Sequence, residues 1–237
     1  MRSSIAAIGL GVIALAAPPV TVAAPIPEYR ALYRTIVDGA TVTADVSLSY
    51  DSVAGEYTLG WNGVDESSHE YVTTLQFQLV EDKVRPVAYR QQWDKCAACY
   101  STIALRFNWE TGRVESRFHG SRNVQPLSRN LARDLATLVA TLPGRRELEG
   151  FDDVLSADSL EMVELTTPIG PVHADRVVLR GAKQPHPDGD VWLAHELEDL
   201  PVRIDLSSGK TSMLLELAEL RGIELSAVRG GATAAEE

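Results

Sequence analysis

The stretch TVTADVSLSY, Thr41 to Tyr50, alternates without a break. Val42, Ala44, Val46, Leu48 and Tyr50 fall on one side, and Thr41, Thr43, Asp45, Ser47 and Ser49 on the other. Period two with one polar side is the pattern of a strand half-buried in antiparallel sheet. The same period returns at Tyr71 to Leu79, Ile103 to Trp109 and Val202 to Leu206. Asp38-Gly39, Ala54-Gly55, Asn62-Gly63, Thr111-Gly112, Asp188-Gly189 and Ser208-Gly209 punctuate these runs as turns. The expected fold is mainly β, an antiparallel curved sheet or partly open barrel.

One segment departs from this period. Leu127, Leu131, Leu135, Leu138 and Leu142 recur at steps of three and four, which predicts an amphipathic helix from Ser128 to Leu142. Ser128 supplies an N-cap and Pro143-Gly144 a stop. A leucine stripe of this kind must be buried against a sheet face.

The N-terminus places Arg2 before an apolar run from Ile5 to Ala17, followed by small residues. This reads as a secretory leader cleaved after Ala23, too short to anchor the chain in a bilayer. The expected organisation is a signal peptide over 1–23, one β-rich domain over 24–228 and a disordered tail over 229–237. The destination is the periplasm, with no span crossing the membrane once the leader is gone.

The net charge is −11, which disfavours nucleic acid as a partner. The charge is segregated: residues 83–146 hold twelve Lys/Arg against four acids, while both flanks are acidic. Such a basic middle either forms a patch for anionic headgroups or polysaccharide, or pairs across strands with the acidic flanks.

Candidate chemistry is sparse. Both cysteines, Cys96 and Cys99, stand in one C-x-x-C between two strand-like runs. Export makes a disulfide across a hairpin loop the leading reading, adding about 2 kcal/mol, with redox activity and metal binding as alternatives. A second C-x-x-C and an H-x₃₋₅-H pair are both missing from the sequence, so no metal site is expected. His195-Glu196 lacks the second histidine of H-E-x-x-H and is expected in a strand. His173 and Asp175 share a strand face, and His186 to Asp190 reads as a surface turn. There is no G-x-S-x-G and no glycine-rich loop opening a helix. No catalytic residue and no cofactor are assigned.

Three stretches, EYRALYRTIVDGATVTADVSLSYD, VEDKVRPVAYRQQW with LRFNW, and ELTTPIGPVHADRVVLR with GDVWLAHELEDLPVRIDLSSGKTSMLLELAEL, together resemble the DUF3108 family of exported bacterial proteins. The positions carrying the likeness are Thr167, Pro168, Gly170, Trp192, Leu200, Pro201 and Arg203. The resemblance implies an envelope compartment and a β-rich fold, and no reaction.

Trp192 and Arg203 are the candidate ligand-binding residues. They are expected to line the concave side of the sheet, where a guanidinium would meet a carboxylate or phosphate. The alternative is a structural ion pair. The functional expectation is a non-enzymatic periplasmic carrier of a hydrophobic or anionic envelope component, a lipid or a glycan. Two other readings are kept: an envelope assembly protein docking a protein partner, and a hydrolase or lyase acting on an envelope polymer.

Overall fold

A computed structural model describes residues 26–37, 40–64, 70–93, 101–118, 120–128, 135, 138–139, 141–144, 146–150, 155–181, 188–208 and 211–221. Their strands are β1 (Tyr29–Val37), β2 (Ala40–Asp51), β3 (Glu56–Val64), β4 (Glu70–Val80), β5 (Lys83–Trp93), β6 (Ser101–Asn108) and β7 (Arg113–Phe118). They continue with β8 (Ser121–Pro126), β9 (Glu147–Leu148), β10 (Leu155–Thr167), β11 (Gly170–Gly181), β12 (Asp188–Ala194), β13 (Leu200–Ser208) and β14 (Thr211–Arg221).

All of these belong to one curved sheet, in the order β10-β11-β12-β13-β14-β1-β2-β3-β4-β5-β6-β7-β8, with β9 added parallel to β5. Neighbours along that path are antiparallel, and all but one are sequential hairpin partners. The exception joins the chain's ends: β14 pairs with β1. The sheet does not close, so β8 and β10 are its two edges. The curved, partly open sheet read from the alternation is therefore what forms.

Alternation puts the core on one face. Val177, Val191, Ile204, Leu215 and Thr35 follow one another in register across β11, β12, β13, β14 and β1, each under 5% exposed. Leu48, Leu59 and Leu75 form a parallel row across β2, β3 and β4, continued by Tyr89 and Leu105. A sheet with one apolar face and no second sheet must curl around that face to exclude water. Thr41 to Tyr50 behaves as read, with Ala44, Val46 and Leu48 buried and Tyr50 exposed at the end of the row.

The lower end of the curl is plugged. Of the expected helix, Leu135, Leu138 and Val139 are helical, and most of its other residues lie outside the described ones. Leu135, Val139 and Leu142 are buried in the core, as the leucine stripe requires. Among the described residues the only helix with defined bounds is the 3₁₀ turn His195–Leu197. The chain then turns at Gly144 (φ +80°), and β9 sets Leu148 beside Val84.

Two expected turns lie inside strands. Asn62-Gly63 sits in β3 opposite Asp45 and Ala44, and Asp188-Gly189 opens β12. Ladder pairing on both sides outweighs the local turn preference there. Conversely, the β4–β5 hairpin turns on Glu81 and Asp82, both left-handed (φ 52° and 65°), a two-residue turn without the usual glycine. Residues 1–23, the tail 229–237 and Cys96 and Cys99 lie outside the described residues.

Candidate functional site

Trp192 and Arg203 are cross-strand partners on β12 and β13, and the guanidinium carbon of Arg203 stands 5.0 Å from the indole centroid. A residue missed in the sequence completes the arrangement. Arg176, opposite Trp192 on β11, stands 5.8 Å from the same ring. One half-buried indole is thus held between two guanidiniums, an arrangement favoured by the ring's negative faces. Only the register of β11 with β12 brings Arg176 there.

This group does not line the inside of the curl. Val191 and Ile204, adjacent in the two strands, point to the core, so Trp192 and Arg203 face the opposite side. Each guanidinium also has a carboxylate. Arg176 donates to Asp190 at 2.7 Å, and that bond raises its pKa above the ordinary value. Arg203 stands 3.8 Å from Glu216. The Nε atoms of both arginines are buried without a conventional acceptor, and the ring faces they approach can take that role weakly.

A second cluster forms at the plugged end. His195, in the 3₁₀ turn rather than in a strand, lies 3.1 Å from Asp175 through Nε2 and 3.1 Å from Asp199 through Nδ1. His173 meets Glu196 at 2.7 Å, and the same carboxylate accepts the His173 backbone N–H. Burial pushes the Glu196 pKa up, but these hydrogen bonds together bring it below the ordinary value. The His195–Asp175 and His173–Glu196 pairs therefore run between β11 and the 3₁₀ turn and fasten one to the other. Glu198 and Asp199 both adopt left-handed backbone (φ 56° each), a mildly strained turn. A cleft of about 310 Å³ opens beside His195, Arg146 and Pro143. Among the described residues, none of its lining side chains carries a hydroxyl or thiol to act as a nucleophile.

The third place is the β5–β8 half. The sheet order puts the basic middle of the sequence together at one edge. Near the plug its cations pair with acids from the flanks: Lys83 with Glu147 (3.6 Å), Arg85 with Glu149 (2.6 Å) and Arg146 with Asp82 (2.9 Å). Toward the other end, Arg90, Arg106, Arg117 and Arg122 share the outer face of β5–β8. Glu115 is set among them, 3.1 Å from Arg117 and 2.7 Å from Arg122, and Arg122 first, then Arg117, holds its pKa below the ordinary value.

The inner face of the same strands changes along its length. Leu75, Phe77 and Val84 are fully buried at the plugged end. At the other end the inner row runs Trp61, Thr73, Gln91, Ile103, Phe118, with Tyr71 beyond it. There Tyr71 is 42% and Phe118 48% exposed. No signal in the sequence separates these from core aromatics, because alternation reports the face and not the depth.

No established protein family, DUF3108 included, matches the sequence, and no curated protein is similar to it. The fold has a counterpart in a crystal structure of a beta-barrel-like protein of domain of unknown function DUF1849 from Brucella abortus. The two share 14% identity at a TM-score of 0.51, over 85% of this chain and 99% of that one. Two weaker likenesses are to MucB (TM-score 0.37, 9% identity, 85% of this chain and 55% of that chain) and to a lipoprotein of Parabacteroides distasonis ATCC 8503 (TM-score 0.33, 8% identity, 82% and 95%). At such identities the first shows a shared fold and no chemistry. Among the described residues, no helix is long and apolar enough to cross a membrane.

Proposed function

We propose that this chain is a non-enzymatic periplasmic carrier that holds the acyl chain of an envelope lipid on the inner face of its open end. The observation that carries this reading is the change along one face. The apolar row that is sealed at Leu75 and Phe77 reaches the other end with Tyr71 and Phe118 about half exposed. A concave surface lined by aromatic and aliphatic side chains, with Thr73 and Gln91 among them, suits an alkyl chain.

The test is binding of cis-parinaric acid, a fatty acid that fluoresces in apolar surroundings, read also through energy transfer from Trp61. Thr73→Glu puts a carboxylate in the middle of the row, at a half-buried position. Binding is expected to weaken about tenfold or more, since the new charge must be desolvated against the chain. Wild-type protein that leaves the probe dark would sink the carrier reading.

The remaining parts of the reading concern the mature molecule. Cleavage after Ala23 delivers the chain to the periplasm, where Cys96 and Cys99 close a disulfide. The intact mass of protein recovered from the periplasm is expected to begin at residue 24 and to fall two hydrogens short of the reduced chain. A retained leader or a reduced pair would overturn the respective part. Trp192 and Arg203 form a secondary anion site in this reading, because the 3.8 Å contact with Glu216 is loose enough for a carboxylate or phosphate to displace it.

A specific observation favours the assembly reading as second: β10 is a thirteen-residue edge strand that pairs only with β11 among the described residues. Such an edge can accept a strand from a protein partner.

A further inference from the structure

The β7–β8 hairpin combines two kinds of exposed side chain. On its outer face Arg117 and Arg122 are directly opposite each other, with side chains 67% and 64% exposed. Arg90 continues the same row through Ala104, and Arg106 lies in the next row, opposite Glu115. Four guanidiniums and one carboxylate thus share this face, with Arg117 and Arg122 paired to Glu115, so the described part of the patch has a positive balance. Two like charges placed directly opposite on adjacent strands repel. Glu115, 3.1 Å and 2.7 Å from the two, offsets that repulsion within the hairpin. Phe118 ends β7 at the hairpin tip, 48% exposed, and Val124, on the arginine face, is also 48% exposed.

We infer that this hairpin docks the protein on the surface of an anionic bilayer. Guanidiniums bind phosphate through paired N–H donors, and several close together are drawn to a surface of negative headgroups. Val124 beside the arginines gives the apolar contact an interfacial element needs, and Phe118, on the opposite face, lies at the tip of the same hairpin. Soluble polyanions and acidic proteins offer the charge without the apolar layer that Val124, half exposed beside the arginines, can enter. A bilayer offers both. The inference deepens the carrier reading, because the open end that would hold the acyl chain is bounded by this hairpin. Docking there brings the row from Trp61 to Phe118 to the surface from which a lipid would be taken.

The experiment is co-sedimentation of the full mature chain with vesicles of phosphatidylglycerol and phosphatidylethanolamine, compared with vesicles of phosphatidylcholine. Binding to the anionic vesicles alone is expected, weakening as salt is raised. Arg117→Gln with Arg122→Gln is expected to lower that binding about tenfold or more, since each basic side chain near such a surface contributes severalfold. The double variant should keep the wild-type thermal midpoint, both side chains being exposed, and should keep cis-parinaric acid binding. Retained probe binding with lost vesicle binding supports the dock. Equal binding to phosphatidylcholine vesicles, unchanged binding by the double variant, or binding to soluble dextran sulfate without binding to vesicles would overturn it. Failure of cis-parinaric acid to bind wild-type protein strikes the carrier reading and leaves the vesicle result to stand by itself.

Discussion

Phe77→Ala is expected to cost the fold about 3–5 kcal/mol, the range for deleting a buried aromatic ring. Phe77 is fully buried, and it stacks on Tyr57 with centroids 5.2 Å apart and planes at 15°. The β-bulge between Gln76 and Phe77 sets it opposite Pro86 on β5. Tyr57, in turn, accepts the backbone N–H of Ile26 at 3.2 Å and meets Tyr50 at 4.6 Å. Removing the ring therefore leaves a cavity where the N-terminal entry, β3, β4 and β5 converge. For a chain of this size about 2–4 °C of thermal midpoint accompanies each kcal/mol, so a fall of about 6–20 °C is expected. Thermal and urea unfolding would measure it. A loss below about 1 kcal/mol would mean that the site collapses around the gap and is not a packed junction.

Tyr33 offers the second large effect, and a pair of variants separates its two roles. Its ring is 1% exposed and stacks on Trp61 of β3 at 5.7 Å, while its hydroxyl donates to the Pro201 carbonyl of β13 at 2.7 Å. It stands on β1, so it reaches two strands away in each direction along the sheet. This one side chain is a chord across the curve. Tyr33→Phe keeps the stack and removes the donor, with an expected loss of about 1–3 kcal/mol. Tyr33→Ala removes both and is expected to cost about 3–5 kcal/mol. Burial first, and then Tyr29, holds the Tyr33 phenol well above its ordinary pKa of 10.0. The neutral phenol's contribution is fully present below that ordinary value and is lost as the pH rises above it. Tyr33→Phe should therefore flatten part of the alkaline fall in urea midpoint. Equal losses from the two variants would show that the hydrogen bond carries the whole effect, contrary to the chord described.

The sequence had different reach at different places. At Thr41 to Tyr50 the alternation named the buried residues, because side chains of a strand must project to opposite faces whatever the strand packs on. The leucine stripe was legible for a similar reason, and Leu135, Val139 and Leu142 enter the core. Asn62-Gly63 failed as a turn because its backbone groups are claimed by β2 and β4, which the local residues do not announce. Glu81 and Asp82 were missed because two acidic residues accept left-handed backbone only where the flanking pairs Val80–Lys83 and Leu79–Val84 impose it. Trp192 and Arg203 were expected on the concave side, and the alternation of β12 and β13 about Val191 and Ile204 puts them on the opposite face.

What the chain determined by itself was local: where strands run, which side chains share a face, and that positive charge gathers in residues 83–146. Tertiary structure decided which face became the inside. β14 pairs with β1, and the bulges at Leu32/Tyr33, Gln76/Phe77 and Trp192/Leu193 redirect the strands. Curvature accumulates over the whole sheet from such bulges and from strand twist, and no short stretch encodes it. The same pairing of β14 with β1 leaves β5–β8 together at one edge among the described strands, so Arg90, Arg106, Arg117 and Arg122 gather on one face there, while Arg85 and Arg146 meet acids of the flanks. Charge in a sequence is a composition; only the order of strands makes it a surface.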